Sequence, residues 1–135
     1  MTKIVYNACY GGFGLSEKAM LRYAKLKGIK IYKGTGSLYT PFYTVPEAEY
    51  NKIYAEDCIR KDFTRSNELF VTDRTIERDD PILVQVVEEL GSEANGNYAD
   101  LQIAEIPSGT LYRIDEYDGN ESVMTTGDYN WKVAR

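Results

Sequence analysis

Three glycines within four residues, Gly11-Gly12-Phe13-Gly14, stand between a short apolar stretch, Ile4 to Tyr6, and the start of a helix. The chain is read as a strand running through the glycines straight into a helix. A loop of that kind, followed by the unpaired amides of a first helical turn, is a ready anion site. Tyr10 or Phe13 could then stack on a base or sugar. The pattern is not a P-loop, which needs a Lys-Ser/Thr pair after its last glycine. Nor is it the dinucleotide fingerprint, because Glu17 stands where the third glycine belongs. The alternative is structural: the glycines allow positive φ and close packing of strand and helix.

The first helix is well marked. Ser16 is a good N-cap, Glu17 suits the positive helix end, and Leu15 and Met20 can form a hydrophobic staple. Ala19, Tyr23 and Leu26 make an inward stripe, Lys25 and Lys27 suit the C-terminal end, and Gly28 is the stop. Strand is expected over Ile29 to Lys33, loop over Gly34 to Ser37, and extended chain over Leu38 to Val45. Pro46 at a first helical position opens a second helix through about Lys61, with Tyr50, Ile53, Tyr54 and Cys58 on one face. Leu69 to Val71 reads as a short strand. Asp79-Asp80-Pro81 starts a third helix with the stripe Leu83, Val86, Val87, Leu90 and a stop at Gly91. Asn95-Gly96 turns the chain. Strands follow over Leu101 to Ile106 and Leu111 to Tyr117. Asp118-Gly119 is a hairpin signal leading into Glu121 to Thr125. The expected fold is one α+β domain over residues 1–135, with about three helices covering a mostly antiparallel sheet.

Composition narrows the chemistry. The 135 residues include no histidine, which removes Ser-His-Asp and Cys-His nucleophile systems and histidine metal centres. No cofactor is expected. Cys9 and Cys58 read as reduced, buried thiols of a cytoplasmic protein, since no stretch is apolar enough for a membrane span or a signal peptide. Residues 1–65 hold 11 Lys and Arg against 6 Asp and Glu, a net of +5; residues 66–135 hold 5 against 15, a net of −10. The total of −5 argues against a broad nucleic-acid surface. A small anion near the glycine loop remains compatible with local positive charge.

Arg74 and Arg78 lie just before the third helix start and could grip an anion, or pair with Asp73, Glu77 and Asp79. Arg113 is the sole basic residue between Arg78 and Lys132, either an ion-pair hub or a ligand contact. Asp115, Glu116 and Asp118 could meet a metal through oxygen, but alternating acids on a strand read first as its wet face. Among 21 acids no spacing selects a glycosidase pair.

Three blocks, Tyr6-Asn7 to Ser16, Arg78-Asp79-Asp80-Pro81 through Gly91, and Ile103 to Gly119, together resemble a family of small proteins encoded by tailed phages and prophages of bacteria. The relatives end in a basic aromatic stretch containing histidine, where this chain reads Gly127-Asp128-Tyr129-Asn130-Trp131-Lys132. The resemblance implies a phage accessory role. By analogy with oligomeric phage sponges, the leading expectation is an anti-defence protein that sequesters a small cyclic-nucleotide signal without catalysis. Its ligand residues would be Tyr10, Gly11, Gly12, Phe13, Gly14, Arg74, Arg78 and Arg113, in a homodimer or larger homo-oligomer. The alternative is an interaction module that inhibits a host defence enzyme through a tyrosine-rich, acidic face. The third is a carboxylate-dependent hydrolase.

Overall fold

The computed structural model describes residues 1–36, 40–128, 133 and 134. Ser37, Leu38 and the tail around Trp131 and Lys132 therefore lie outside the described residues. Helices and antiparallel sheets alternate along the chain, an α+β architecture. Two compact units divide it: unit 1 is residues 1–19 and 76–135, unit 2 is residues 20–75.

Unit 1 is built on strand β1 (Thr2–Asn7), which pairs antiparallel with β5 (Leu101–Ile106) from Thr2↔Ile106 to Asn7↔Leu101. Helix α4 (Pro81–Leu90) packs on both strands. Asp80 caps it, accepting from the Ile82 amide at 2.9 Å, and Pro81 costs nothing where no intrahelical partner exists. Leu83, Val84, Val86 and Val87 are buried with Ile4, Val5, Leu101 and Ile106, so the apolar stripe read from spacing is the core face. Leu90 is only half-buried and Val84 takes its place in the stripe. Helix α1 (Glu17–Lys27) begins here, with Ser16 Oγ accepting from the Ala19 amide at 3.1 Å. A hairpin of β6 (Tyr112–Tyr117) and β7 (Asn120–Thr125) completes the unit. Its two-residue turn has φ of 51° at Asp118 and 86° at Gly119, the left-handed pair that matches strand twist.

Unit 2 receives the rest of α1, whose inward residues are Met20 and Ala24 with Tyr23 half-buried; Leu26 is also only half-buried. Gly28 (φ 75°) ends the helix in a Schellman arrangement: the Ile29 amide bonds the Ala24 carbonyl and the Gly28 amide the Lys25 carbonyl. That motif consumes Ile29, so the expected strand from Ile29 shrinks to β2 (Tyr32–Lys33). It pairs with β3 (Phe42–Tyr43), which pairs with β4 (Phe70–Val71). Helix α2 (Glu47–Arg60) starts one residue later than expected, with Pro46 as its N-cap. A short helix α3 (Thr64–Leu69) occupies chain that carried no helical signal.

The buried residue of α2 is Asp57, which shares a face with half-buried Tyr50 and Ile53; of the expected face, Tyr54 and Cys58 are exposed instead. The Asp57 carboxylate accepts from the Ser66 amide (2.9 Å), Arg60 (2.7 Å) and Arg65 (3.3 Å), tying α2 to α3. Burial alone would raise its pKa; hydrogen bonds from Ser66, Arg60 and Arg65 outweigh that and hold it at about 2. One residue turns a helix by about 100°, so Cys58 is carried away from this spot and is exposed. Cys9 is half-exposed; neither thiol is the buried one expected. Tyr50 and Tyr54 instead extend a row of rings from Tyr43, the Tyr43–Tyr50 centroids lying 4.0 Å apart.

Candidate functional site

Asn7, the last residue of β1, gathers three loops of unit 1. Its side-chain amide donates to the carbonyls of Cys9 and Gly119, both at 2.8 Å. Its side-chain carbonyl accepts from the Asp100 amide at 2.8 Å and the Cys9 thiol at 3.4 Å. An asparagine offers two donors and one acceptor oxygen, so the fully buried group is satisfied. The glycine loop, the turn before β5 and the hairpin tip are thereby drawn together.

Glycine is required where they touch. A Cβ on Gly11 would fall 1.8 Å from the Tyr98 carbonyl oxygen, and one on Gly119 would fall 2.6 Å from the Tyr10 oxygen and the Gly12 nitrogen. The Gly96 amide bonds the Gly14 carbonyl at 2.9 Å. Gly12 (φ 98°) has open space where a side chain would stand. The loop is therefore a packed junction whose outer side is open.

Each joined segment carries an exposed tyrosine: Tyr10 (64%), Tyr98 (77%) and Tyr117 (79%), the last beside the hairpin tip. Each of these rings offers apolar area together with a hydroxyl for hydrogen bonding. Phe13 is different. The Arg78 guanidinium lies over its ring, 3.6 Å from the centroid. The same guanidinium forks onto Glu121 at 2.6 and 2.9 Å, and Glu121 is 8% exposed. Glu121 Oε1 also accepts from the Asn7 amide.

Arg113 Nε pairs with Asp115 at 2.8 Å. Arg74 lies in unit 2, exposed, in a 3-10 turn at Asp73–Thr75. Tyr10, Gly11, Gly12, Phe13, Gly14 and Arg78 thus adjoin one junction, while Arg113 stands on β6 of the same unit. Among the described residues every lysine and arginine of unit 1 is engaged, Lys3 with Glu88 and Lys18 with Glu93 completing the set. Glu116 and Asp118, beside Tyr117, take part in no ion pair or side-chain hydrogen bond there. At the other end of β6, burial and the carboxylates of Asp79 and Glu77 raise the pKa of the Tyr112 hydroxyl.

Asn7, Tyr98, Tyr117 and Glu121 were not singled out by spacing. An asparagine closing an apolar strand was the one available signal for the first, since strands disfavour it. Among the described residues no group of three or more Cys, Asp or Glu is placed to hold a metal ion. Nor is any helix long and apolar enough to cross a membrane. Comparison with protein-family models, with curated proteins and with solved structures finds no match to this chain.

Proposed function

We propose that unit 1 is a protein-docking module that seats the basic surface of a partner protein and blocks it without catalysis. The carrying observation is that the loop at Tyr10, the turn at Tyr98 and the hairpin tip beside Tyr117 meet in one junction with all three rings exposed, next to Glu116 and Asp118, which pair with no cation among the described residues. Unit 1 holds 6 Lys and Arg against 14 Asp and Glu, a net of −8. Such a field steers a cationic partner, and the tyrosines supply contact area at low entropic cost. The resemblance to phage accessory proteins makes a host defence enzyme the target class, met in the bacterial cytoplasm.

Sequestration of a small cyclic nucleotide by a homo-oligomer is the competing reading. Open space at Gly12 beside exposed Tyr10 favours it. A phosphate would, however, have to displace Glu121 from Arg78 or Asp115 from Arg113.

One paired experiment separates them. The tagged chain is passed through host lysate, and its melting temperature is followed with cyclic dinucleotides, cyclic trinucleotides and cyclic ADP-ribose isomers. Docking predicts a stoichiometric host protein that is lost from a Tyr98→Ala/Tyr117→Ala variant, and no nucleotide shift. A ligand at 100 times its Kd would add roughly 2.7 kcal/mol; such a shift without a captured protein would overturn the docking reading.

A further inference from the structure

The two edges of the β1–β5 sheet are finished differently. On β1 the odd-numbered residues turn their backbone groups away from β5; Arg78 and Glu121 close that side at Val5 and Asn7, while the outward groups of Lys3 have no partner among the described residues. The Val5 amide donates to the Arg78 carbonyl at 2.9 Å, Arg78 Nη1 reaches the Val5 carbonyl at 3.4 Å, and the Asn7 amide donates to Glu121 Oε1 at 2.9 Å. On β5 the residues opposite these, Leu101, Ile103 and Glu105, turn their backbone groups outward too. The Leu101 amide is taken by Asn95 Oδ1 at 2.9 Å. The outward amides and carbonyls of Ile103 and Glu105 have no partner among the described residues, Ile103 being half-buried and Glu105 exposed.

An open strand edge is a template for another strand, and natural sheets cover or charge the edges they do not use. Here the β1 edge is closed at Val5 and Asn7 by Arg78 and the nearly buried Glu121, while the β5 edge at Ile103 and Glu105 meets no partner among the described residues. The open strand also begins three residues after Tyr98.

We propose that the edge of β5 at Ile103 and Glu105 receives an extended, lysine- or arginine-bearing segment of the partner, which adds as a further strand. This rests on the docking reading above and gives it a mode. Main-chain bonds to Ile103 and Glu105 supply sequence-tolerant affinity. Charge chooses the occupant: Asp100 lies at the start of this strand and Glu105, 4.0 Å from Lys3, lies on it, in a unit of net −8. A second copy of the chain would bring a second −8 against the first. A basic segment bonded at Ile103 and Glu105 ends where Asn95 caps Leu101, three residues along the chain from Tyr98.

The test uses the full chain and a capped eight-residue peptide of alternating lysine and valine, with its glutamate counterpart as control. Amide exchange is read residue by residue. At nine-tenths occupancy the lysine peptide should slow exchange at Ile103 and Glu105 by about tenfold, leave the already bonded Val5 amide unchanged, and fail in 0.5 M salt. Glu105→Pro removes an outward amide that bonds nothing, so circular dichroism should stay the same while protection at Ile103 is lost. Peptide binding at the tyrosines with no protection at Ile103 and Glu105 would overturn strand addition and leave docking standing. Absence of binding, or equal binding of the glutamate peptide, would overturn the basic occupant, with docking judged separately by the captured host protein. Protection that appears without peptide and grows with protein concentration would assign the edge to a second copy and overturn the proposal.

Discussion

Asn7 and the Arg78–Glu121 pair hold the loop junction, with Asn7 and Glu121 largely withdrawn from water. Removing one side of such an arrangement costs more than the bond itself is worth, because the abandoned partner stays buried. Asn7→Ala strands the Cys9 and Gly119 carbonyls and the Asp100 amide together. A loss of roughly 2–4 kcal/mol is expected in urea unfolding, and a loss near zero would mean that the loops hold without it. Arg78→Ala leaves Glu121 charged and nearly buried, with an expected cost of about 3–5 kcal/mol. The paired change Arg78→Met/Glu121→Leu should cost clearly less than the single one in the same assay.

Asp57 gives unit 2 a pH dependence of known sign. Its carboxyl is held at about 2, below the ordinary value of 3.8, so the folded state binds the proton less readily than the unfolded chain does. Its contribution is complete above the unfolded value and disappears as pH falls toward 2. Asp57→Asn should therefore be less stable than the natural chain at pH 7, and the difference should narrow between about pH 4 and 2. Melting temperatures across that range check it, and a difference that stays constant would contradict the assignment.

At the scale of elements, capping and turn chemistry carry separable costs. Asp80→Ala removes the α4 cap and should cost about 1 kcal/mol. In the hairpin turn, Gly119→Ala must be far worse than Asp118→Gly, because only the former adds a Cβ against the Tyr10 and Gly12 backbone. Thermal unfolding that ranks them the other way would show that the tip does not press on the loop.

The elements legible in the sequence were those that state themselves locally. Ser16 and Gly28 bounded α1, Asp80-Pro81 opened α4, β5 fell at Leu101–Ile106, and Asp118-Gly119 marked the hairpin. Unit 2 was harder to read for a physical reason. Strands of two residues, such as β2, β3 and β4, are too short to show alternation, and α3 forms where Ser66 meets Asp57 across the fold. The same applies to the site. The glycines were visible, but their meeting with Tyr98 and Gly119 depends on pairings 89 and 112 residues apart, those of Cys9 with Tyr98 and Asn7 with Gly119. The arginines were visible too, whereas Glu121 as the partner of Arg78 lies 43 residues away and has no local signature.

For the whole molecule, charge is sorted by unit: unit 2 holds 10 Lys and Arg against 7 Asp and Glu, a net of +3, beside the −8 of unit 1. A charged rim acts chiefly on encounter, so Glu116→Gln/Asp118→Asn should slow association with the proposed partner and flatten its salt dependence, with dissociation little changed. Tyrosines act after encounter by excluding water, so their removal should speed dissociation. The most direct measurement is the Kd of the captured host protein for the natural chain and for Tyr98→Ala/Tyr117→Ala, each confirmed as folded, at 0.05 and 0.5 M salt. The account predicts roughly 30-fold weaker binding by the variant, about 2 kcal/mol, and weaker binding by both in high salt. Equal affinities, or binding that salt does not alter, would contradict it.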